Sequence, residues 1–169
     1  MEKELIHRII TQKDATVMCG MDEYDMVSVL IELTYQHYYN MPVENLNEEQ
    51  KTIFLCMALE DHVQADGILS LTEEDELFFL MPDMCKALLR LGAPQTAEAL
   101  QEFLDLMPAG TFEHRVMPEW KWFFETKERE NKISQIDTFI GDYPDGVMQK
   151  IYHRYITADK AIAEQLLDF

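Results

Sequence analysis

Several things are scarce in this 169-residue chain, and each scarcity excludes a class of protein. Three cysteines, Cys19, Cys56 and Cys85, are an odd number without CxxC-type spacing, which excludes a disulfide framework and a cysteine zinc site and leaves buried thiols in a reducing compartment. Six glycines and six prolines beside 47% hydrophobic residues exclude collagen-like and low-complexity chains. No run reaches the roughly 18 uninterrupted apolar residues of a membrane span. The opening MEKELIHRII has charge on both sides of a short apolar run, unlike a signal peptide, so a cytoplasmic protein is expected. Positive charge is scarcest: 14 Lys and Arg face 32 Asp and Glu, a net −18. Direct binding to nucleic acid or an anionic membrane is excluded on this ground, since both depend on basic residues meeting phosphate.

What is present is apolar spacing of three and four, with almost no strict alternation, from end to end. It predicts one all-α domain, residues 1–169, of about seven to nine helices. A helix is expected over 22–39, with Met26, Val29, Leu30, Leu33 and His37 on one stripe. Asn47 with Gln50 three residues on is a capping-box spacing, opening a helix of about 18 residues that Gly67 stops. Thr72 is expected to open the next segment, Pro82 to restart it and Gly92 to end it. Pro94 suits the first turn of a helix with the stripe Ala97, Leu100, Phe103, Leu104 and Met107. A further helix is expected from Pro118, then a short piece over Ile133 to Ile140, and two last helices separated near Thr157.

The acidic excess is local. Residues 14–85 hold sixteen carboxylates and one base, Lys51, a net −15, while residues 86–169 are near neutral. A region so nearly free of counter-charge projects a strong negative field. Carboxylates three or four apart on helices stand about 5–6 Å from one another. DNA carries one negative charge per roughly 1.7 Å of axis, so rows of such carboxylates can offer a DNA-binding protein comparable charge without bases. The carboxylates expected to meet a basic partner are Glu44, Glu48, Glu49, Asp61, Asp66, Glu73, Glu74 and Glu76. The plain alternative is chemistry of helix starts and solubility, since acidic residues in first turns favour the helix dipole without any partner.

The segment Gln50–Phe103, reading QKTIFLCMALEDHVQADGI and then MPDMCKALLRLGAPQTAEALQEF, resembles the bacterial DNA-mimic protein family. The matching residues are Leu59, Glu60, Val63 and Gly67, the run Leu91, Gly92, Ala93, Thr96, Ala97, and further on Asp137, Tyr152, Tyr155 and Phe169. Where the family has an Asn-Asn-Gly-Gly turn, this chain has Gln64, Ala65, Asp66, Gly67. The resemblance implies an all-α fold, dimerisation, and occupation of a transcription factor's DNA-binding surface. An immunity or antitoxin-like protein that neutralises a basic toxin is a second reading of the same charge.

A third reading centres on His62–Glu73, where Gly67 at the sixth place and Glu73 at the twelfth echo a calcium loop, with Gln64, Asp66 and Ser70 as oxygen donors. His62 leads that segment where calcium wants a carboxylate, so a plain helix-connecting turn is preferred and no metal or cofactor is expected. The remaining histidines stand apart, with no HExxH, and no nucleophile elbow or phosphate loop is present, so no enzyme is expected. Tyr35, Tyr38, Tyr39 and Trp120, Trp122, Phe123, Phe124 are too closely spaced for one helix face, which marks Tyr39 and Trp122 as candidates for outward rings at an interface.

Overall fold

Helix start signals in the sequence govern where the backbone coils. In a computed structural model describing residues 3–169, Asn47 closes the expected capping box: its side-chain oxygen accepts from Glu49 N (3.1 Å) and Gln50 N (3.0 Å), and Gln50 Oε1 accepts from Asn47 N (3.0 Å). All regular elements among the described residues are helical, eight α-helices of seven residues or more with shorter α and 3-10 turns between them, and none is long and apolar enough to cross a membrane. The chain divides into two compact units, Met1–Met57 with Gly146–Phe169, and Ala58–Asp145.

The first unit contains α1 (Lys3–Gln12), α2 (Ala15–Cys19), α3 (Glu23–Gln36), the start of α4 (Glu48–Ala65), then α10 (Met148–Ala158) and α11 (Lys160–Leu166). Asp14, Asp22 and Asp159 cap α2, α3 and α11 through backbone N–H groups 2.9–3.0 Å away. The α3 stripe of Met26, Val29, Leu30 and Leu33 is fully buried, facing α10 with its Ile151, Tyr152 and Ile156. The helix expected to reach residue 39 stops at Gln36 and gives way to a 3-10 turn, Tyr38–Asn40. Continued coiling would carry Tyr38 about 140° round the axis from Leu33, away from the core. The break instead buries Tyr38 completely, its hydroxyl donating to the Leu166 carbonyl, and leaves His37 half-buried against Phe169, ring centroids 4.0 Å apart.

The second unit takes the rest of α4, a 3-10 stretch (Ile68–Glu73), α5 (Asp75–Phe79), α6 (Met81–Leu91), α7 (Pro94–Asp105), α8 (Thr111–His114), a 3-10 turn (Trp120–Phe124) and α9 (Lys127–Gly141). Gly92 is left-handed (φ 89°), which lets Gly92 N and Ala93 N both reach the Leu88 carbonyl at 3.0 and 2.9 Å and folds α7 back on α6. Ala97, Leu100, Phe103 and Leu104 form the buried stripe of α7, as their spacing requires.

Two expected helix starts are corrected. Thr72 does not open a helix: its hydroxyl donates to Leu69 O (2.6 Å), tightening a 3-10 stretch that buries Ile68 and Leu71, and α5 follows. Pro118 is followed by extended chain and a single 3-10 turn, because only Phe123 of the ring cluster is fully buried and Thr126 then starts a fresh helix by capping Arg129 N (3.2 Å). The piece expected at Ile133–Ile140 is the second half of that continuous α9. Cys56 and Cys85 are buried and Cys19 half-buried. Burial, with the Asp105 charge adding to it, pushes the Cys85 thiol up to about 11.

Candidate partner-binding surface

The expected carboxylates divide by what the fold does with them. In the first unit, Glu44 sits exposed in the 3-10 turn Val43–Asn45, and Glu48 is exposed in the first turn of α4. Glu49, its neighbour, is only 5% exposed and accepts a hydrogen bond from the Tyr155 hydroxyl of α10. It is a buried structural acceptor, and this removes it from the surface set.

In the second unit, Asp61 near the end of α4, Asp66 just beyond it, and Glu73, Glu74 and Glu76 about the start of α5 are all exposed, and Asp75 stands among them. Glu74 Oε1 lies 3.5 Å from His62 Nε2, while His62 Nδ1 bonds the Ser70 hydroxyl at 2.9 Å. Although Asp61 is exposed as a residue, partial desolvation of its carboxyl raises it above its ordinary value, with His62 pulling the other way. Among the described residues, Glu44, Glu48, Asp66, Glu73 and Glu76 have no cation within ion-pair distance. Lys13, Lys121, Lys127, Arg129, Lys132 and Lys160 are paired with carboxylates that lie outside residues 14–85. Lys86 pairs with Asp83 inside that stretch (2.8 Å), while Glu44 and Glu48 in the first unit and Asp66, Glu73 and Glu76 in the second remain exposed negative charge.

The side chains of the calcium-like segment are engaged in bonds of the fold. His62 is engaged by Ser70 and Glu74, and Gln64 donates its amide to the Gly141 carbonyl (3.1 Å). No group of three or more His, Cys, Asp or Glu suited to a metal ion occurs among the described residues.

Residues shared with the DNA-mimic pattern turn out to be joints of the fold. Gly67 has φ +85° and ψ 168°, a region side-chain-bearing residues rarely enter, and a Cβ there would stand 3.0 Å from the Asp137 carboxylate. That close approach lets Asp137 Oδ1 accept from Ile68 N at 2.6 Å. Glu60 accepts from the Tyr143 hydroxyl (3.2 Å), and burial, joined by the Glu60 charge, pushes that phenol up to about 12. Thr96 donates both its N–H (2.7 Å) and its hydroxyl (2.9 Å) to Asp145 Oδ2, and Gln95 N reaches Oδ1 at 3.1 Å.

Asp145 thus caps α7 from a distant loop, a role sequence reading missed. The signal was a negative one: Ala93 before Pro94 has no side chain with which to cap. Burial works to raise the Asp145 carboxyl, but the hydrogen bonds from Thr96 and Gln95 outweigh it and hold the group below its ordinary value.

Of the aromatic candidates, Tyr39 is exposed, whereas Trp122 is half-buried beneath the Arg129 guanidinium, 3.7 Å from its ring centre. Trp120, at 54% exposure, is the outward tryptophan.

The family model described as DMP19-like protein matches residues 44–159, well over half of the chain and inclusive of every carboxylate expected at the surface site. No curated protein and no solved structure matches the chain. The chain belongs to the DMP19-like family of DNA-mimic proteins.

Proposed function

We propose that this protein occupies the DNA-binding surface of a basic protein such as a transcriptional regulator, using Glu44, Glu48, Asp61, Asp66, Glu73, Glu74 and Glu76. The observation that carries the reading is that Glu44, Glu48, Asp66, Glu73 and Glu76 are exposed with no cation within ion-pair distance among the described residues, in the stretch where the sequence concentrates −15 of the net −18. The mechanism is steering followed by occupation. A negative field speeds encounter with a cationic groove, and the bound chain excludes DNA because both need the same lysines and arginines.

Capture on the immobilised chain at low and at high salt, followed by a mobility-shift assay of the captured protein on its DNA, tests this. Addition of the chain is expected to release the DNA, and high salt is expected to abolish capture. Ternary complexes containing protein, DNA and this chain would show that it binds elsewhere and would sink the proposal.

A further inference from the structure

Packing of α7 on α9 leaves a groove of about 320 Å³ on the second unit, and the polar groups left unsatisfied in it are mostly of one kind. Each helix lines it with positions three, four and seven residues apart, one face over about 10 Å of axis. Ala99 and Ile136, both buried, make the floor, and the small alanine side chain leaves room above it. Along the walls the strong donors are spent. Gln95 turns its amide N–H groups to the Pro144 carbonyl (2.8 Å) and Asp145 Oδ1 (3.5 Å), and the Lys132 ammonium is paired with Glu102. Acceptors remain. Among the described residues, exposed Glu98 has no cation within ion-pair distance and exposed Gln135 has no side-chain partner, while the Phe139 ring on the same groove is 46% exposed. Because Glu102 and Lys132 cancel, the groove carries one uncompensated negative charge, at Glu98.

We propose that this groove seats an arginine side chain of the protein partner, a conclusion that rests on the basic-partner reading above and adds to it a contact outside residues 14–85. Charge and hydrogen bonding together select the occupant. An acidic or purely apolar segment would cover Glu98 without counter-charge. A second copy placed groove to groove about a two-fold axis would set Glu98 against Glu98. Arginine answers every part of the site. Its guanidinium carries five N–H donors in one plane, enough to fork onto the Glu98 carboxylate and reach the Gln135 oxygen, and that plane stacks on a ring such as Phe139. The methylene stem suits the apolar floor of Ala99 and Ile136. Lysine offers the charge but no plane to stack or fork.

Labelled nona-arginine and nona-lysine peptides, titrated with the full chain while fluorescence anisotropy is read, provide the test. The wild-type chain is expected to bind the arginine peptide about three- to fivefold more tightly than the lysine peptide. The double variant Glu98→Gln/Phe139→Ala, both positions exposed and its fold checked by circular dichroism, is expected to lose that preference while still binding both peptides. Glu98→Gln alone, which keeps the side chain's shape, is expected to weaken the arginine peptide about two- to fivefold. An arginine preference undiminished in the double variant overturns the inference, as does equal binding of both peptides by the wild type. Sedimentation showing self-association that the double variant loses would assign the groove to a second copy and overturn it as well. Failure of the wild type to bind either peptide would overturn the basic-partner reading along with it.

Discussion

The Tyr155 hydroxyl donates to the Glu49 carboxylate across 106 residues of sequence, tying α10 to the first turn of α4 inside the first unit. Glu48, one residue earlier, points to water. Adjacent glutamates thus serve different ends, one as an internal acceptor and one as surface charge. Tyr155→Phe removes a donor from a carboxylate that is almost entirely buried, and the expected loss is about 1–3 kcal/mol of unfolding free energy. Urea unfolding of the two proteins measures it. A midpoint unchanged by the substitution would mean that Glu49 is satisfied without Tyr155.

The cap on α7 predicts a pH dependence. Because the folded Asp145 carboxyl lies below its ordinary value, its ionised form is favoured by folding. Its contribution is therefore complete above the usual carboxylate range and fades as pH falls through the lower folded value. Asp145→Asn is expected to cost about 1–2 kcal/mol at neutral pH, with the gap to wild type narrowing below about pH 4. Paired denaturation curves from neutral to acid pH read this directly, and a gap that widened on acidification would contradict the assignment.

Gly67 is predicted to resist replacement twice over. Its backbone φ of +85° disfavours any side chain, and a Cβ would meet Asp137 at 3.0 Å and disturb the bond to Ile68 N. Gly67→Ala is expected to lower stability by roughly 1–3 kcal/mol. Gly146→Ala, at φ +101° with nothing within 4 Å of the new Cβ, isolates the backbone part of the effect and should cost less. Equal thermal shifts for the two would show that the approach to Asp137 is immaterial.

Local rules made much of the architecture legible. Asn47 with Gln50, Gly92 before Pro94, and the stripe from Ala97 to Leu104 each specify their element through contacts a few residues away, and each forms as spaced. What could not be read is what distant partners impose. Tyr38 leaves the helical path because Leu166 offers its carbonyl, Asp145 caps a helix fifty positions back, and Glu49 is drawn inward by Tyr155. Of the surface set, Glu44, Glu48 and the residues about α5 are exposed. Charge pattern alone could not separate a glutamate that faces Tyr155 from one that faces water, since composition carries no direction. The exposure of Tyr24 and Ile31 on α3 becomes legible only once the opposite face of that helix is known to be core.

Surface carboxylates are proposed to hold the basic partner, and the dissociation constant of the captured protein for the variant Glu44→Lys/Glu48→Lys/Glu73→Lys/Glu76→Lys beside wild type measures their part in it. All four positions are exposed, so the thermal midpoint is expected to be retained. Reversed charge at four proposed contacts is expected to weaken binding by about a hundredfold or more, chiefly at low salt. An unchanged dissociation constant in a folded variant would mean that these carboxylates do not hold the partner.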